Sequence, residues 1–291
     1  KVGVIGTGTM GEGVARTCIQ YGYDTLLRSR SRERLDQVLR SIRGSLERAV
    51  ARGRMKEAEK EAALGHLKGV TALEDLAPCD LISENVIEDL EEKKRLFAAL
   101  DKICPPPTIL STDTSCLPVI ALAQATKKPG RVVGLHFFTP PPYMKFIEVI
   151  GTILSSPETV ETTRAFAVSL GKEVIMARDT PGFVVNRILI PFFLEAIRVL
   201  ESGIATAEEI DKGFELGLGY PFGPLSQADS AGLDTIYLVA DNMYEQLKDP
   251  RFAPPPLLQR MVLAGHLGRK TGKGFHEYRE GVRSFGGPGG A

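Results

Sequence analysis

The chain has 291 residues, 43% of them hydrophobic, with 36 basic side chains against 36 acidic ones. That length suits two domains, each able to bury a core without disulfides or a structural metal, and the balanced charge excludes the basic surplus of a nucleic-acid binder. The longest apolar stretch, around Ile188–Leu194, is broken by Pro191 and too short to span a bilayer, so no membrane partner is expected.

In chain order, Val2–Ile5 is a β-branched run ending in glycines, a helical pattern follows from Met10 to Tyr21, and a second strand runs Asp24–Leu27. This is a βαβ opening. The charged stretch from Arg32 to Gly65 carries Leu35, Val38, Leu39, Ile42 and Leu46 at helical spacing. It reads as two solvent-facing helices joined near Arg52-Gly53-Arg54. Strands are expected at Val70–Ala72, Leu81–Ser83, Thr108–Ser111, Val132–Phe138 and Phe146–Ile150, with helices between the earlier ones. Strands alternating with helices predict a mostly parallel, doubly wound sheet. From Pro181 the periodicity is helical only, over Phe183–Gly203, Thr206–Leu218, Gly232–Glu245 and Pro256–Ala264. The expected organisation is an α/β domain over 1–178, an all-helical domain over 179–280 and a flexible Gly-rich tail over 281–291.

Cys18, Cys79, Cys104 and Cys116 show no C-x-x-C spacing and read as reduced thiols, and no metal-ligating pattern stands out. The chain opens on a strand with no leader-like segment before it, which fits a cytoplasmic protein; a targeting segment removed upstream is the open alternative.

Gly6-Thr7-Gly8-Thr9-Met10-Gly11 fits G-x-G-x-x-G directly between a strand and a helix. The first glycine permits a tight turn, the second lets backbone approach a pyrophosphate, and the third lets helix and strand pack closely. The helix N-terminus then offers unpaired N–H groups and its positive dipole end to the phosphates. These positions, with Thr9 and Met10, predict a dinucleotide-binding domain of the Rossmann type. An acid that would bind a ribose 2′-OH is expected about 20 residues beyond the glycines, but the second strand runs into Arg28-Ser29-Arg30-Ser31-Arg32 with no acid before Glu33. Ser29 could donate to a 2′-phosphate and Arg30 could pair with it, which favours NADP(H) over NAD(H). The other reading is a solvated basic loop with NAD(H) bound.

The richest segment is Gly134–Ile150, with His136-Phe137-Phe138-Thr139-Pro140 and Lys145-Phe146-Ile147-Glu148. Glu148 sits in an apolar run where an unpaired charge would be costly. Further motifs are Ser111-Thr112-Asp113-Thr114-Ser115-Cys116-Leu117, Pro181–Arg187, Gly219–Pro224 and Gly268–Phe275. Together, in this order and over almost the whole chain, they resemble the L-3-hydroxyacyl-CoA dehydrogenases, including the 3-hydroxybutyryl-CoA enzymes.

That resemblance implies oxidation of an (S)-3-hydroxyacyl-CoA, or reduction of the 3-oxoacyl-CoA, with a nicotinamide cofactor. His136 would be the general base, a role that suits an imidazole titrating near neutrality, and Glu148 the acid that orients it. Ser115 and Asn186 would hold the substrate oxygen. By residue type alone they read as a helix cap and a helix-start residue. Glu88, Lys93 and Lys270 would lie at the nicotinamide end, with Ser115 also near the cofactor, and Arg52 and Arg54 near the CoA nucleotide. Unaided, these basic residues would read as solvated. The resemblance also implies a homodimer, with Pro191-Phe192-Phe193-Leu194 as part of its interface. Asp113 and Thr139 stand where the family usually has Asn, Ser29 where it has Asp, and Tyr143 where it has a small apolar residue. The alternatives are a related dehydrogenase of a hydroxy acid or sugar acid without CoA, and a non-catalytic cofactor-binding protein.

Overall fold

Four-residue apolar runs separated by amphipathic helices leave few ways to bury both faces of a strand, and the chain takes the doubly wound one. The computed structural model describes residues 1–278, so the tail expected over 281–291 lies outside the described residues. Two compact units divide the chain, Lys1–Asp179 and the part from Thr180 onward.

The first unit runs β1 (Val2–Ile5), α1 (Thr9–Gln20), β2 (Thr25–Arg28), α2 (Arg32–Ala51), α3 (Glu57–Gly65), β3 (Leu67–Val70), β4 (Leu81–Glu84), α4 (Leu90–Ile103), β5 (Ile109–Thr112), α5 (Val119–Gln124), β6 (Val132–Phe137), β7 (Phe146–Gly151), α6 (Pro157–Ser169) and β8 (Glu173–Arg178). The strands form one sheet in the order β3-β2-β1-β4-β5-β6-β7-β8. All neighbours are parallel except β6 and β7, which are antiparallel. The order reverses at β1, flanked by β2 and β4, and such a switch point opens a crevice at the carboxyl ends of the strands. Every residue of β1, β4, β5 and β6 is buried, as expected of strands covered on both faces. The core joins Val4, Leu27, Val133, Leu135, Ile147 and Val149 of the sheet to Val14, Cys18 and Ile19 of α1 and to Leu35, Val38, Ile42 and Leu46 of α2. At roughly 25 cal/mol per Å² of buried apolar surface, this packing is the main force holding the helices to the sheet.

Two expectations are corrected. The third strand lies at Leu67–Val70, ahead of the expected Val70–Ala72, because pairing of Thr25 with Leu67 through Arg28 with Val70 sets its register. The edge strand β8 has no counterpart in the sequence reading; its charged ends and half-exposed middle hide the strand pattern.

The second unit contains α7 (Val185–Glu201), α8 (Ala207–Lys212), α9 (Pro224–Ala231), α10 (Leu233–Leu247) and α11 (Pro256–Leu263), and the helices carry its architecture as expected. Thr206 and Glu209 form a capping box at the start of α8. The single helix expected over Thr206–Leu218 instead changes to a π-helical turn at Gly213–Gly217, where two glycines loosen the backbone. Phe193 and Leu194, expected at a subunit interface, are buried in the folded chain, because helical periodicity turns them inward. No helix among the described residues is long and apolar enough to cross a membrane.

Candidate active site

The glycine turn is built as its chemistry requires. Gly6 has φ of +115°, and a Cβ there would meet the Asn85 carbonyl oxygen at 2.4 Å; a Cβ on Gly11 would meet the Gly6 carbonyl oxygen at 2.1 Å. A Cβ on Gly8 would meet nothing within 4 Å, so its backbone faces open space. Gly8 caps α1 without a side-chain hydrogen bond, which leaves the first-turn N–H groups for a ligand. This turn borders a cavity of about 760 Å³ whose walls include Thr9, Met10, Ser29, Arg30, Arg34 and Asn85. An open anion cradle beside a cavity of that size fits a nicotinamide dinucleotide.

On the same cavity wall, Ser29 is buried; its Oγ accepts from the Ser31 N–H at 3.3 Å and lies 3.5 Å from the Thr7 hydroxyl. Arg28 also lines this cavity. Burial, then the charge of neighbouring Arg30, hold the Arg28 guanidinium below its ordinary value. Arg34 donates to the Thr7 carbonyl at 3.2 Å.

The antiparallel pairing of β6 and β7 sets His136 directly opposite Glu148. Nδ1 of His136 lies 2.7 Å from Oε2 of Glu148, with 6% of the His136 side chain exposed and none of Glu148. A carboxylate can only accept, so this contact places the imidazole proton on Nδ1 and leaves the Nε2 lone pair for another donor. Ser115 Oγ lies 3.2 Å from Nε2. Ser115 is therefore no helix cap. Its neighbour Thr114 serves that turn, accepting from the N–H groups of Cys116 at 3.3 Å and Leu117 at 2.9 Å. The pair is thus poised to take a proton at Nε2.

Behind Ser115 lies a buried charge network that the sequence reading saw only in part. Glu88 accepts from the Ser115 N–H at 2.9 Å and from the Thr114 hydroxyl. Lys93, expected on residue type to be solvated, is only 1% exposed; it donates to Glu84 at 2.6 Å and lies 3.4 Å from Glu88. Burial alone would lower the Lys93 ammonium, but the charges of Glu84 and Glu88 outweigh it and hold it above its usual value. Glu84 was missed, although an acid ending the apolar strand Leu81–Glu84 carries the same signal as Glu148 in its own strand.

The remaining expected residues stand apart. Arg52 and Arg54 are exposed and border a smaller pocket of about 180 Å³ with Arg16, Arg48 and Tyr143, where the Arg16 guanidinium sits 5.0 Å from the Tyr143 ring centre. In the second unit, Asn186 is half-buried in the first turn of α7, and Lys270 pairs with Asp234 at 2.5 Å. All four cysteines are buried, and burial raises the Cys79 thiol to about 11 and the Cys18 thiol to about 12, which suits inert packing rather than nucleophilic chemistry.

Comparison with known proteins covers both units. Residues 1–180 match the 3-hydroxyacyl-CoA dehydrogenase NAD binding domain and residues 182–278 the C-terminal domain of the same family. The chain is 43% identical over 280 residues to a 3-hydroxybutyryl-CoA dehydrogenase of Mycobacterium tuberculosis, covering 96% of this chain and 98% of that one. It is 41% identical to the Clostridioides difficile enzyme of the same name, covering 96% and 100%. The crystal structure of (S)-3-hydroxybutyryl-CoA dehydrogenase from Ralstonia eutropha superposes with a TM-score of 0.92 at 38% identity, covering 96% of this chain and 99% of that one.

Proposed function

Because this chain belongs to the 3-hydroxyacyl-CoA dehydrogenase family, we propose that it interconverts an (S)-3-hydroxyacyl-CoA and its 3-oxoacyl-CoA with His136 as general base, and that 3-hydroxybutyryl-CoA, named in its relatives, is its substrate. The observation that carries this reading is the His136 imidazole held by Glu148 at 2.7 Å on one nitrogen and meeting Ser115 at 3.2 Å with the other.

When bound, the nicotinamide supplies the acceptor or donor of hydride. His136 Nε2 takes the proton of the substrate 3-hydroxyl in oxidation and returns it in reduction. Glu148 fixes the ring and stabilises the imidazolium that forms. Ser115 and Asn186 hold the substrate oxygen. Glu88, fastened to Ser115 and backed by Lys93, shapes the nicotinamide end, to which the family resemblance also assigns Lys270. Arg52 and Arg54 take the phosphates of the CoA nucleotide, where several guanidinium groups around one small pocket favour a polyanion.

The cofactor is NADP(H) in this reading. Burial and the charge of Arg30 hold Arg28 below its ordinary value at a cavity wall where Ser29 brings no negative charge, a setting that a 2′-phosphate would neutralise. The protein acts in the cytoplasm as a homodimer. The exposed Ile188, Leu216 and Leu218, in the same stretches of chain as the edge-to-face rings of Phe192, Phe214 and Tyr220, supply the apolar surface for pairing.

The test is reduction of acetoacetyl-CoA with NADPH and with NADH, alongside free acetoacetate. Turnover of the thioester but not the free acid is expected. Turnover of the free acid alone would move the protein to the CoA-independent dehydrogenases, and tight cofactor binding without turnover would make it a binding protein.

A further inference from the structure

Three carboxyl groups and one ammonium meet beyond the ends of β4 and β5, and their donors are unequally shared. Glu84 accepts from Lys93 at 2.6 Å, from the Val86 N–H at 2.7 Å and from the Thr112 hydroxyl at 2.7 Å. Glu88 accepts from the Thr114 hydroxyl and the Ser115 N–H, with Lys93 at 3.4 Å. Asp113 has a single donor: Oδ1 accepts from the Phe137 N–H at 2.7 Å, while Oδ2 is shut off from solvent with no hydrogen-bond partner. Other atoms of Asp113 keep some solvent contact, but the oxygen that decides the matter does not.

An ionised carboxylate in that position would leave two lone pairs and a share of negative charge without a donor, beside two other carboxylates that already hold the only ammonium. A carboxylic acid keeps the useful contact, because its carbonyl oxygen still accepts from Phe137. That contact has a purpose. The β5–β6 ladder ends at Thr112 with Gly134, and one step on, the Asp113 side chain replaces the ladder by holding the backbone of Phe137, the residue after His136. The charged groups facing Asp113 are Glu84 from β4, Glu88 from the loop before α4 and Lys93 from α4; from β6 it meets a backbone N–H.

We infer that Asp113 is carried as a neutral carboxylic acid and acts as a positioning residue, tying the end of β6 so that His136 stays aligned, and that its ionisation sets an alkaline limit to turnover. Burial pushes this carboxyl up, against the pull of the Phe137 N–H and Lys93, in keeping with the geometry. The kinetic consequence rests on the dehydrogenase reading above, whereas the protonation state does not.

The experiment compares wild type, Asp113→Asn and Asp113→Ala in the oxidation of (S)-3-hydroxybutyryl-CoA from neutral to strongly alkaline pH. In that direction the general base acts in its unprotonated form, which raising the pH does not remove. Wild-type kcat is expected to fall at alkaline pH, and Asp113→Asn, which keeps the acceptor but cannot ionise, is expected to retain neutral-pH turnover and lose the fall. Asp113→Ala should lose about a hundredfold in kcat through misplacement of His136. An alkaline limb that persists in Asp113→Asn overturns the proposal. Infrared difference spectra at neutral pH check the ground state without turnover: a protonated-carboxyl carbonyl band present in wild type and missing from Asp113→Asn is expected, and its absence from wild type also overturns the proposal. Lack of wild-type turnover would count against the dehydrogenase reading, and the infrared band would still decide on Asp113.

Discussion

Among the described residues, two histidine–carboxylate pairs withdrawn from solvent, one in each unit, have nearly equal geometry, whereas the His66–Asp24 pair lies on the surface. His136 meets Glu148 at 2.7 Å between two buried strands; His276 meets Asp211 at 2.8 Å, with 19% and 8% of their side chains exposed. What separates them is the surroundings of the other atoms. Beyond His136 lies Ser115, and beyond that the Glu88–Lys93 network. Asp211 is already occupied as a helix cap, accepting from the N–H groups of Leu225 at 2.8 Å and Ser226 at 2.9 Å at the start of α9. The ring of His276 lies 3.9 Å from the surface acid Glu208. The backbone of the same segment is fastened to Asp229, which accepts from the Phe275 and His276 N–H groups. One pair turns its second nitrogen to Ser115, as the proposed base requires; the other clips the segment around His276 to a helix. A short His–carboxylate contact does not by itself make a base.

The largest effects should fall on the first pair alone. His136→Ala is expected to cut turnover by about 10²- to 10⁴-fold, the range of general acid–base catalysis, while calorimetry finds cofactor binding intact. Near-normal turnover would remove His136 from the mechanism. Glu148→Gln keeps the shape but cannot offset the imidazolium charge, and a loss of about a hundredfold or more in kcat is expected. His276→Gln, the same kind of change to the second pair, should leave kcat in place. Equal losses from both would dissolve the distinction.

These regions were unequally legible in the sequence. The glycine turn could be read because its requirements are local: Gly6 and Gly11 each face backbone within a few residues or across one strand pair. Glu148 could be read because a charge in an apolar strand needs a partner twelve or so residues away in the hairpin. Lys93 could not, because the acids that bury it come from β4 and the loop after it, and nothing in the pattern of α4 announces them. The edge strand β8 was lost for a related reason: it pairs on one side only and leaves half its residues in solvent. Pro191-Phe192-Phe193-Leu194 was expected to form part of an interface, but the helix sends Phe193 and Leu194 into the core.

Between the two His pairs in expected effect stands the cofactor pocket. Ser29→Asp would set a carboxylate against a 2′-phosphate, and the ratio of NADPH to NADH turnover should fall by about tenfold to a hundredfold. Calorimetric titration with each cofactor would show the same shift in affinity. A wild type that already prefers NADH, or an unchanged ratio in the variant, would leave Arg28 and Arg30 as an ordinary solvated edge.

The smallest effect belongs to the second pair and appears in stability, not in rate. The hydrogen bond that His276 donates to Asp211 holds the imidazole above its ordinary value, against the opposing effect of burial. Burial raises the Asp211 carboxyl, but the bonds from His276, Leu225 and Ser226 outweigh it and hold the group below the usual carboxylate range. A raised imidazole contributes stability that is complete below its unfolded value, about 6.5, and is lost as pH rises through the folded one. The lowered carboxyl contributes above its unfolded value, about 3.9, and loses that contribution as pH falls through the folded one. The two windows overlap in mildly acidic solution. There His276→Gln should cost about 1 to 2 kcal/mol in denaturant unfolding, with the deficit shrinking as the pH is raised past neutrality. A deficit constant across that range would mean that His276 holds its segment by packing, and the contrast with His136 would then rest on shape and not on charge.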